Sequence, residues 1–474
     1  MNRTLAALGV TTLLASPAIA VPATSDRPNI IVLLVDDMGY GDISANGGTV
    51  EPTPNIDRLA AQGTRFTQYY SASPICSPSR TGILTGCFPA RHGITSFLNT
   101  PADNLARDMV DFLDPKAPSI ARTLKSAGYA TGHFGKWHMG GGRHIQAPSI
   151  REYGFDEYSS TWESPDPDPK LTASDWIWSP KDEVRRWKRT EYFVDKTIDF
   201  LKRHPGEPCY IDLWPDDVHT PWVPDMEYEK QGAKTSSCAA LRPVLRELDV
   251  QVGRLTKALD DMGIADKTLI LFTSDNGPAP SLQSERSGKI NGATLRGAKA
   301  SLYEAGIRMP GIVRWPGHAP AGRVDETSLI GSVDLLPTFA ALAGTTAPTG
   351  DGESVLAAFN GKSFDRTKPM LFEYGRGERR WAYPPAPHRS PPLAAREGPW
   401  KLLMTPDGAT IELYDITKDP GEKTNVAADH PDVVQKLKVE LDAFKKTWPH
   451  REGGGTDRIA DDGDSKDSRA SPSH

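Results

Sequence analysis

The stretch Asn29-Ile30-Ile31-Val32-Leu33-Leu34-Val35-Asp36-Asp37 decides the fold class. From Ile30 to Val35 it is apolar without alternation, so both sides of an extended segment are buried, the pattern of a parallel strand covered on two faces. Thr268 to Phe272 repeats it, and both runs end in polar clusters rich in Asp. Between them lie helical segments with matching punctuation: Thr53-Pro54 opens one that Gly63 closes, and Pro118-Ser119 opens another that runs to Gly128. Alternating strand and helix predict an α/β protein.

The texture changes near Pro369. A loop rich in Pro and Arg (Gly375 to Pro392) leads into short strands around Trp400–Met404 and Ile411–Asp415 and then a helix. In that helix Val434, Leu437, Leu441, Phe444 and Trp448 recur at spacings of three and four, one apolar stripe to lay on a sheet. The expected organisation is a large α/β domain over 21–368 and a smaller C-terminal α+β domain over 369–450, with a short antiparallel sheet and a helix. The tail 451–474 is rich in Gly, Asp and Ser, lacks apolar residues to bury, and reads as disordered.

The 474 residues suffice for one large domain plus a small one. A net charge of −6 with acids and bases interleaved excludes the basic field that nucleic-acid binding requires. Residues 1–20 carry Arg3, an apolar run from Leu5 to Ala15, and Ala18-Ile19-Ala20, the form of a signal peptide cut before Val21. The run is shorter than the roughly 20 residues that cross a bilayer, so the expectation is a secreted or periplasmic protein with no membrane span. Cys76, Cys87, Cys209 and Cys238 are the cysteines, and in an exported chain a Cys209–Cys238 disulfide is the favoured pairing.

Functional groups of open parallel sheets gather past the carboxyl ends of strands, and polar clusters stand at such places here. Asp36-Asp37 follows the first strand; two adjacent carboxylates there serve a cation, or are solvated loop acids or a helix cap. Asp275-Asn276-Gly277 follows Thr268–Phe272 and adds hard oxygen donors that suit Ca²⁺ or Mg²⁺ better than zinc, unless it is only an Asx turn. Gly135-Lys136-Trp137-His138 follows a strand over Tyr129–Phe134. Lys136 and His138, two apart on an extended segment, share a side and can clamp an anion beside an imidazole, or lie on solvated surface. His219-Thr220-Pro221 follows Cys209–Trp214, and Lys299 lies in Arg296-Gly297-Ala298-Lys299; each also has a plain structural or solvated reading.

The remaining cluster is Cys76-Ser77-Pro78-Ser79-Arg80, continued by Thr81-Gly82-Ile83-Leu84-Thr85-Gly86. A bare C-x-P-x-R arises in roughly 6 of 100 random chains of this length, so its weight depends on its company. Together, Asp-Asp after the first strand, C-x-P-S-R, G-K-W-H, H-T-P, S-D-N-G, R-G-x-K-x-x-x-x-E-x-G and the stretch from Leu413-Tyr414-Asp415 to Asp419-Pro420-Gly421-Glu422 resemble the type I sulfatases of the alkaline phosphatase superfamily. The motifs occur in that family's order through most of the chain. Two departures are Ala298 and Ala305, where many relatives have glycine.

The resemblance implies a large mixed, mostly parallel sheet flanked by helices. It implies oxidation of Cys76 to Cα-formylglycine by a maturation enzyme, and one divalent cation, Ca²⁺, on Asp36, Asp37, Asp275 and Asn276, with residue 76 also touching the metal. Arg80 then steadies the formylglycine hydrate, and Lys136 and Lys299 grip sulfate oxygens. One hydroxyl of the hydrate attacks sulfur and the other ejects sulfate; His219, assisted by Lys299, protonates the leaving alcohol, and His138 serves the collapse. The family-level substrate is a sulfated carbohydrate. Specificity is expected from Gly140–His144, from the Trp162–Trp178 segment, and from the Arg376–Arg389 loop with Arg376, Arg379, Arg380 and Trp381, where Arg beside Trp suits an anionic sugar. A phosphonate or phosphodiester hydrolase of the same superfamily, and a non-catalytic binder of sulfated glycans, are the alternative readings.

Overall fold

The computed structural model describes residues 27–142, 146–174, 176–230, 237–376 and 384–450. The expected signal peptide, the tail, and Arg143, His144, Arg379, Arg380 and Trp381 lie outside these residues.

Strands β1 (Asn29–Val35), β2 (Thr64–Tyr70), β3 (Ala130–Gly135), β4 (Glu157–Ser160), β5 (Cys209–Trp214) and β6 (Thr268–Ser274) form the larger sheet with three later strands. After a two-stranded hairpin, β7 (Lys289–Ile290) and β8 (Ala293–Thr294), come β9 (Arg308–Arg314), β10 (Arg323–Asp325) and β11 (Ile330–Gly331). The order is β10-β2-β9-β6-β1-β5-β3-β4, with β11 also on β2. Only β9 runs antiparallel to its neighbours, β2 and β6, so this is the mixed, mostly parallel nine-stranded sheet expected.

β1 is fully buried because each of its faces meets a helical layer. Ile30, Val32 and Leu34 pack with Leu124, Leu335 and Phe339, while Ile31, Leu33 and Val35 pack with Phe193, Leu201, Leu241 and Leu245. The alternation of side chains along a strand thus splits one apolar run between two cores. Helix punctuation follows the sequence reading: Pro54–Ala61 begins with its proline, and Ser119 caps Ile120–Ser126 by accepting from Arg122 N.

A second, antiparallel sheet has the order β12 (Met370–Glu373), β13 (Leu393–Glu397), β14 (Trp400–Met404), β15 (Ile411–Asp415). Leu437, Leu441 and Phe444 of the helix Pro431–Lys445 cover one face, against Leu402 and Leu413. The other face sends Ala394, Leu403 and Tyr414 into a cluster with Tyr70, Ile307 and Cys76. A buried ion network ties the sheets together: Lys401 of β14 lies 2.9 Å from both Glu304 and Glu422, and Glu304 also pairs with Arg308 at 3.0 Å.

All four cysteines are free, so the expected Cys209–Cys238 disulfide does not form. Cys209 Sγ, at the start of β5, instead donates to Glu207 O at 3.5 Å. Ala298 and Ala305, the two departures from glycine, are both outside the left-handed region and need no glycine.

Candidate active site

Four neighbouring parallel strands, in the order β6-β1-β5-β3, deliver their carboxyl ends to one place. Asp275 and Asn276 follow β6, Asp36 and Asp37 follow β1, His219 lies beyond β5, and Lys136 and His138 follow β3. Cys76 joins them as the first residue of the buried helix Cys76–Thr85, and Arg80 follows one turn later on it. The sequence-predicted residues, Lys299 included, therefore converge.

Three carboxylates form the floor. Asp36 Oδ2 accepts from Lys136 Nζ at 2.8 Å, and its Oδ1 lies 3.4 Å from Cys76 Sγ. Asp37 accepts from Lys299 Nζ (2.9 Å, Oδ2) and Asn276 Nδ2 (2.8 Å, Oδ1). Asp275 Oδ2 takes both Nε and Nη2 of Arg80, at 3.0 and 2.7 Å, while Arg80 Nη1 donates to Lys136 O at 2.6 Å. Arg80 is fully enclosed, its guanidinium 5.2 Å from the Trp214 ring centroid. Asp37 and His138 both hold φ near +55 to +60°, a region costly for side-chain-bearing residues, which is the kind of backbone strain that functional sites store.

The charges explain one another. Burial alone would protonate the carboxylates, yet Lys136, with Arg80, keeps Asp36 well below its ordinary value, and Lys299 lowers Asp37. Asp275, buried and crowded by Asp36, is pushed up to about 7 despite Arg80. Burial and the neighbouring Asp36 carboxylate raise the Cys76 thiol, so the unmodified side chain is a poor nucleophile here.

Burial lowers the pKa of both imidazoles, and their hydrogen bonds assign the tautomers. His138 Nε2 lies 3.2 Å from Leu98 O and so carries the proton; Nδ1 is buried without a partner among the described residues. Burial and Lys136 lower its pKa to about 3. His219 Nδ1 donates to Thr220 O at 2.6 Å, leaving Nε2 to accept from Lys299 Nζ at 3.1 Å. Burial and the Lys299 charge lower this imidazole too.

A divalent cation suits the floor. Ligand atoms of Asp36, Asp37, Cys76 and His219 lie within 4.8 Å of one another, and Asn276 Oδ1 is buried with no hydrogen-bond partner among the described residues. An orphaned carbonyl oxygen beside crowded carboxylates is the donor chemistry of a hard cation.

Several site residues carry no pattern in the sequence. Glu163, in the segment after β4, is held ionised, down to about 2, mainly by Lys136. Arg286 donates to Asp37 O at 2.7 Å and pairs with Asp42 at 2.7 Å. Arg186 Nη2 donates to His219 O at 3.1 Å. Each is a single charged residue distant in sequence from its partner, so no spacing announces it. Arg376 is corrected as a specificity residue: it is buried on Glu373 (3.1 Å), Ala90 O (3.1 Å) and Pro449 O (2.6 Å), with Trp448 against its guanidinium, and does not offer its fork to a sugar. Trp162 and Trp176 do lie together, with ring centroids 6.5 Å apart.

This fold, with these groups at the strand ends, defines the class. The sulfatase family model matches residues 28–345 and the model for the C-terminal region of N-sulphoglucosamine sulphohydrolase matches 298–447, so the chain belongs to the sulfatase family and is a sulfatase. Among its relatives is the N-acetylgalactosamine-6-O-sulfatase of Bacteroides thetaiotaomicron, 30% identical over 505 residues that cover 89% of this chain and 94% of that one. Human N-acetylgalactosamine-6-sulfatase is 34% identical over 371 residues, covering 73% and 68%, and human arylsulfatase A 30% identical over 499 residues, covering 92% of each. A solved sulfatase from Pseudoalteromonas sp. superposes with a TM-score of 0.69 at 25% identity, covering 90% of this chain and 92% of that one. Among the described residues, no helix is long and apolar enough to cross a membrane.

Proposed function

We propose that the protein releases inorganic sulfate from a sulfated carbohydrate outside the cytoplasm, using Cys76 matured to Cα-formylglycine and one Ca²⁺. The observation that carries this is the position of Cys76 Sγ, 3.4 Å from Asp36 Oδ1 among Lys136, Arg80 and Lys299. In the matured protein the hydrate oxygens take the place of that sulfur. The hydrate supplies two hydroxyls on one carbon, one to attack and one to expel the sulfate. Asp36, Asp37, Asp275 and Asn276 hold the cation together with residue 76, and a bound cation supplies positive charge where the ester oxygens accumulate negative charge.

The chain's own side chains do the rest. Lys136 and Lys299 neutralise sulfate oxygens, which otherwise repel any nucleophile. Arg80, clamped by Asp275 and the Lys136 carbonyl, orients residue 76 from one turn along its helix. Lys299 passes a proton to His219 Nε2, which delivers it to the departing sugar oxygen. His138 Nδ1, its lone pair unengaged by any described residue, takes the proton from the second hydroxyl as sulfate leaves.

The names of the first two relatives make 6-sulfated N-acetylgalactosamine the first substrate to assay. The matured protein is expected to release sulfate from it or from another sulfated sugar, and to turn over phosphate esters far more slowly. Equal or faster turnover of phosphodiesters or phosphonates overturns the reading.

A further inference from the structure

Glu163 has no part in the chemistry above, yet its carboxylate belongs to the site. Its backbone carbonyl accepts from His138 N at 2.8 Å, which fixes it beside that imidazole. Its Oε1 lies 3.6 Å from Lys136 Nζ, and its Oε2 accepts from Thr161 Oγ1 at 3.3 Å.

The exposure of the site's side chains is graded. Asp36 and Asp275 are 0% exposed, whereas His219 keeps 22%, Lys299 16% and Glu163 10%. The two most open groups, His219 and Lys299, mark the mouth and are the pair assigned to the leaving alcohol, with Glu163 and His138 next behind them. Glu163, 3.6 Å from the lysine assigned to the sulfate, therefore lies beside the reacting group.

A carboxylate beside a lysine that grips sulfate weakens the grip, and Lys136 has no need of it, since Asp36 already holds it at 2.8 Å. An ionised carboxylate has about four acceptor sites. Those of Glu163 are engaged, among the described residues, only by the Thr161 hydroxyl and the more distant Lys136.

We infer that Glu163 is a specificity residue, which accepts a hydrogen bond from a sugar hydroxyl or amide N–H beside the reacting sulfate and excludes substrates with a second anionic group there. This rests on the sulfatase reading above. A carboxylate beside the lysine that grips sulfate sorts monosulfated from disulfated sugars by repelling the second anion.

The test uses the matured full-length protein turning over 4-nitrophenyl sulfate, with N-acetylgalactosamine 6-sulfate and its 4,6-disulfate as competitors. Wild type is expected to bind the monosulfate more tightly, and E163Q to shift the ratio of the two inhibition constants toward the disulfate by about 10-fold or more, the scale of one hydrogen bond to a charged acceptor. E163D, which keeps the charge, is expected to keep the ratio on the wild-type side. An unchanged ratio in E163Q overturns the inference, including the case where both constants rise together because Lys136 has shifted. A wild type that hydrolyses no sulfate ester refutes the sulfatase reading itself and takes this inference with it.

Discussion

Replacing His219 with alanine tests the division of labour between the two imidazoles. Lys299 Nζ is 3.1 Å from His219 Nε2. At an effective dielectric constant near 20, two unit charges at that separation repel by about 5 kcal/mol, so the pair holds one proton charge and not two. That shared proton is the one available to the leaving group. Its loss is expected to cost a factor of about 10² to 10⁴ in kcat, or about 3 to 5 kcal/mol, on an ester whose alcohol leaves poorly. Lys299 keeps its bond to Asp37, so the grip on sulfate survives and KM moves little. The assay is kcat over a series of aryl sulfates of graded leaving-group acidity plus a sugar sulfate. His219→Ala is expected to steepen the dependence on leaving-group pKa, with a small loss on 4-nitrophenyl sulfate and a large one on the sugar. His138→Ala is expected to slow all members alike, because it acts after the alcohol has gone. A uniform loss in His219→Ala refutes the assignment.

Cys76→Ala is expected to abolish turnover, with near-wild-type circular dichroism and melting temperature; substantial residual activity refutes the nucleophile. Chelation with EGTA is expected to remove activity and lower the melting temperature, and Ca²⁺ to restore both; activity indifferent to exhaustive chelation contradicts the cation site. Asp217 gives a pH test of stability. Burial and the adjacent Asp216 raise its pKa from 3.8 to about 6, so its contribution is complete below pH ~4 and is lost as pH rises through 6. Asp217→Asn, whose amide oxygen can still accept from Thr190, is expected to be stabilised relative to wild type by up to about 3 kcal/mol at pH 7 and to match it near pH 4. Denaturant melts at the two pH values measure this, and a pH-independent difference refutes it.

Much of the fold is legible because burial on two faces leaves a continuous apolar run. Asn29–Val35 and Cys209–Trp214 emerge with the boundaries read from sequence, and Thr268–Phe272 extends only to Ser274. Part of the site was legible for the related reason that Asp36, Asp37, His219, Asp275 and Asn276 sit beyond the ends of those runs, whereas Cys76, Arg80 and Lys299 were legible only through their motifs. Contacts between single residues far apart in sequence were not legible. Arg286 on Asp42 and Arg186 behind His219 have no local signature, and Glu163 was visible only as part of a segment flanked by tryptophans. Arg376 shows the opposite error: a basic residue in a loop with Trp381 suggested a sugar contact, while Glu373, three residues earlier, already occupies its guanidinium. The cysteine count suggested a disulfide because compartment chemistry permits one, but pairing is decided by geometry, and Cys209 and Cys238 remain free.

The central claim is the identity of residue 76 in the working protein. Mass spectrometry of the peptide that carries it, from protein exported by its own host or coexpressed with a formylglycine-generating enzyme, tests that directly. The account predicts an aldehyde at position 76. A thiol there, in protein that nonetheless releases sulfate from its substrate, contradicts it.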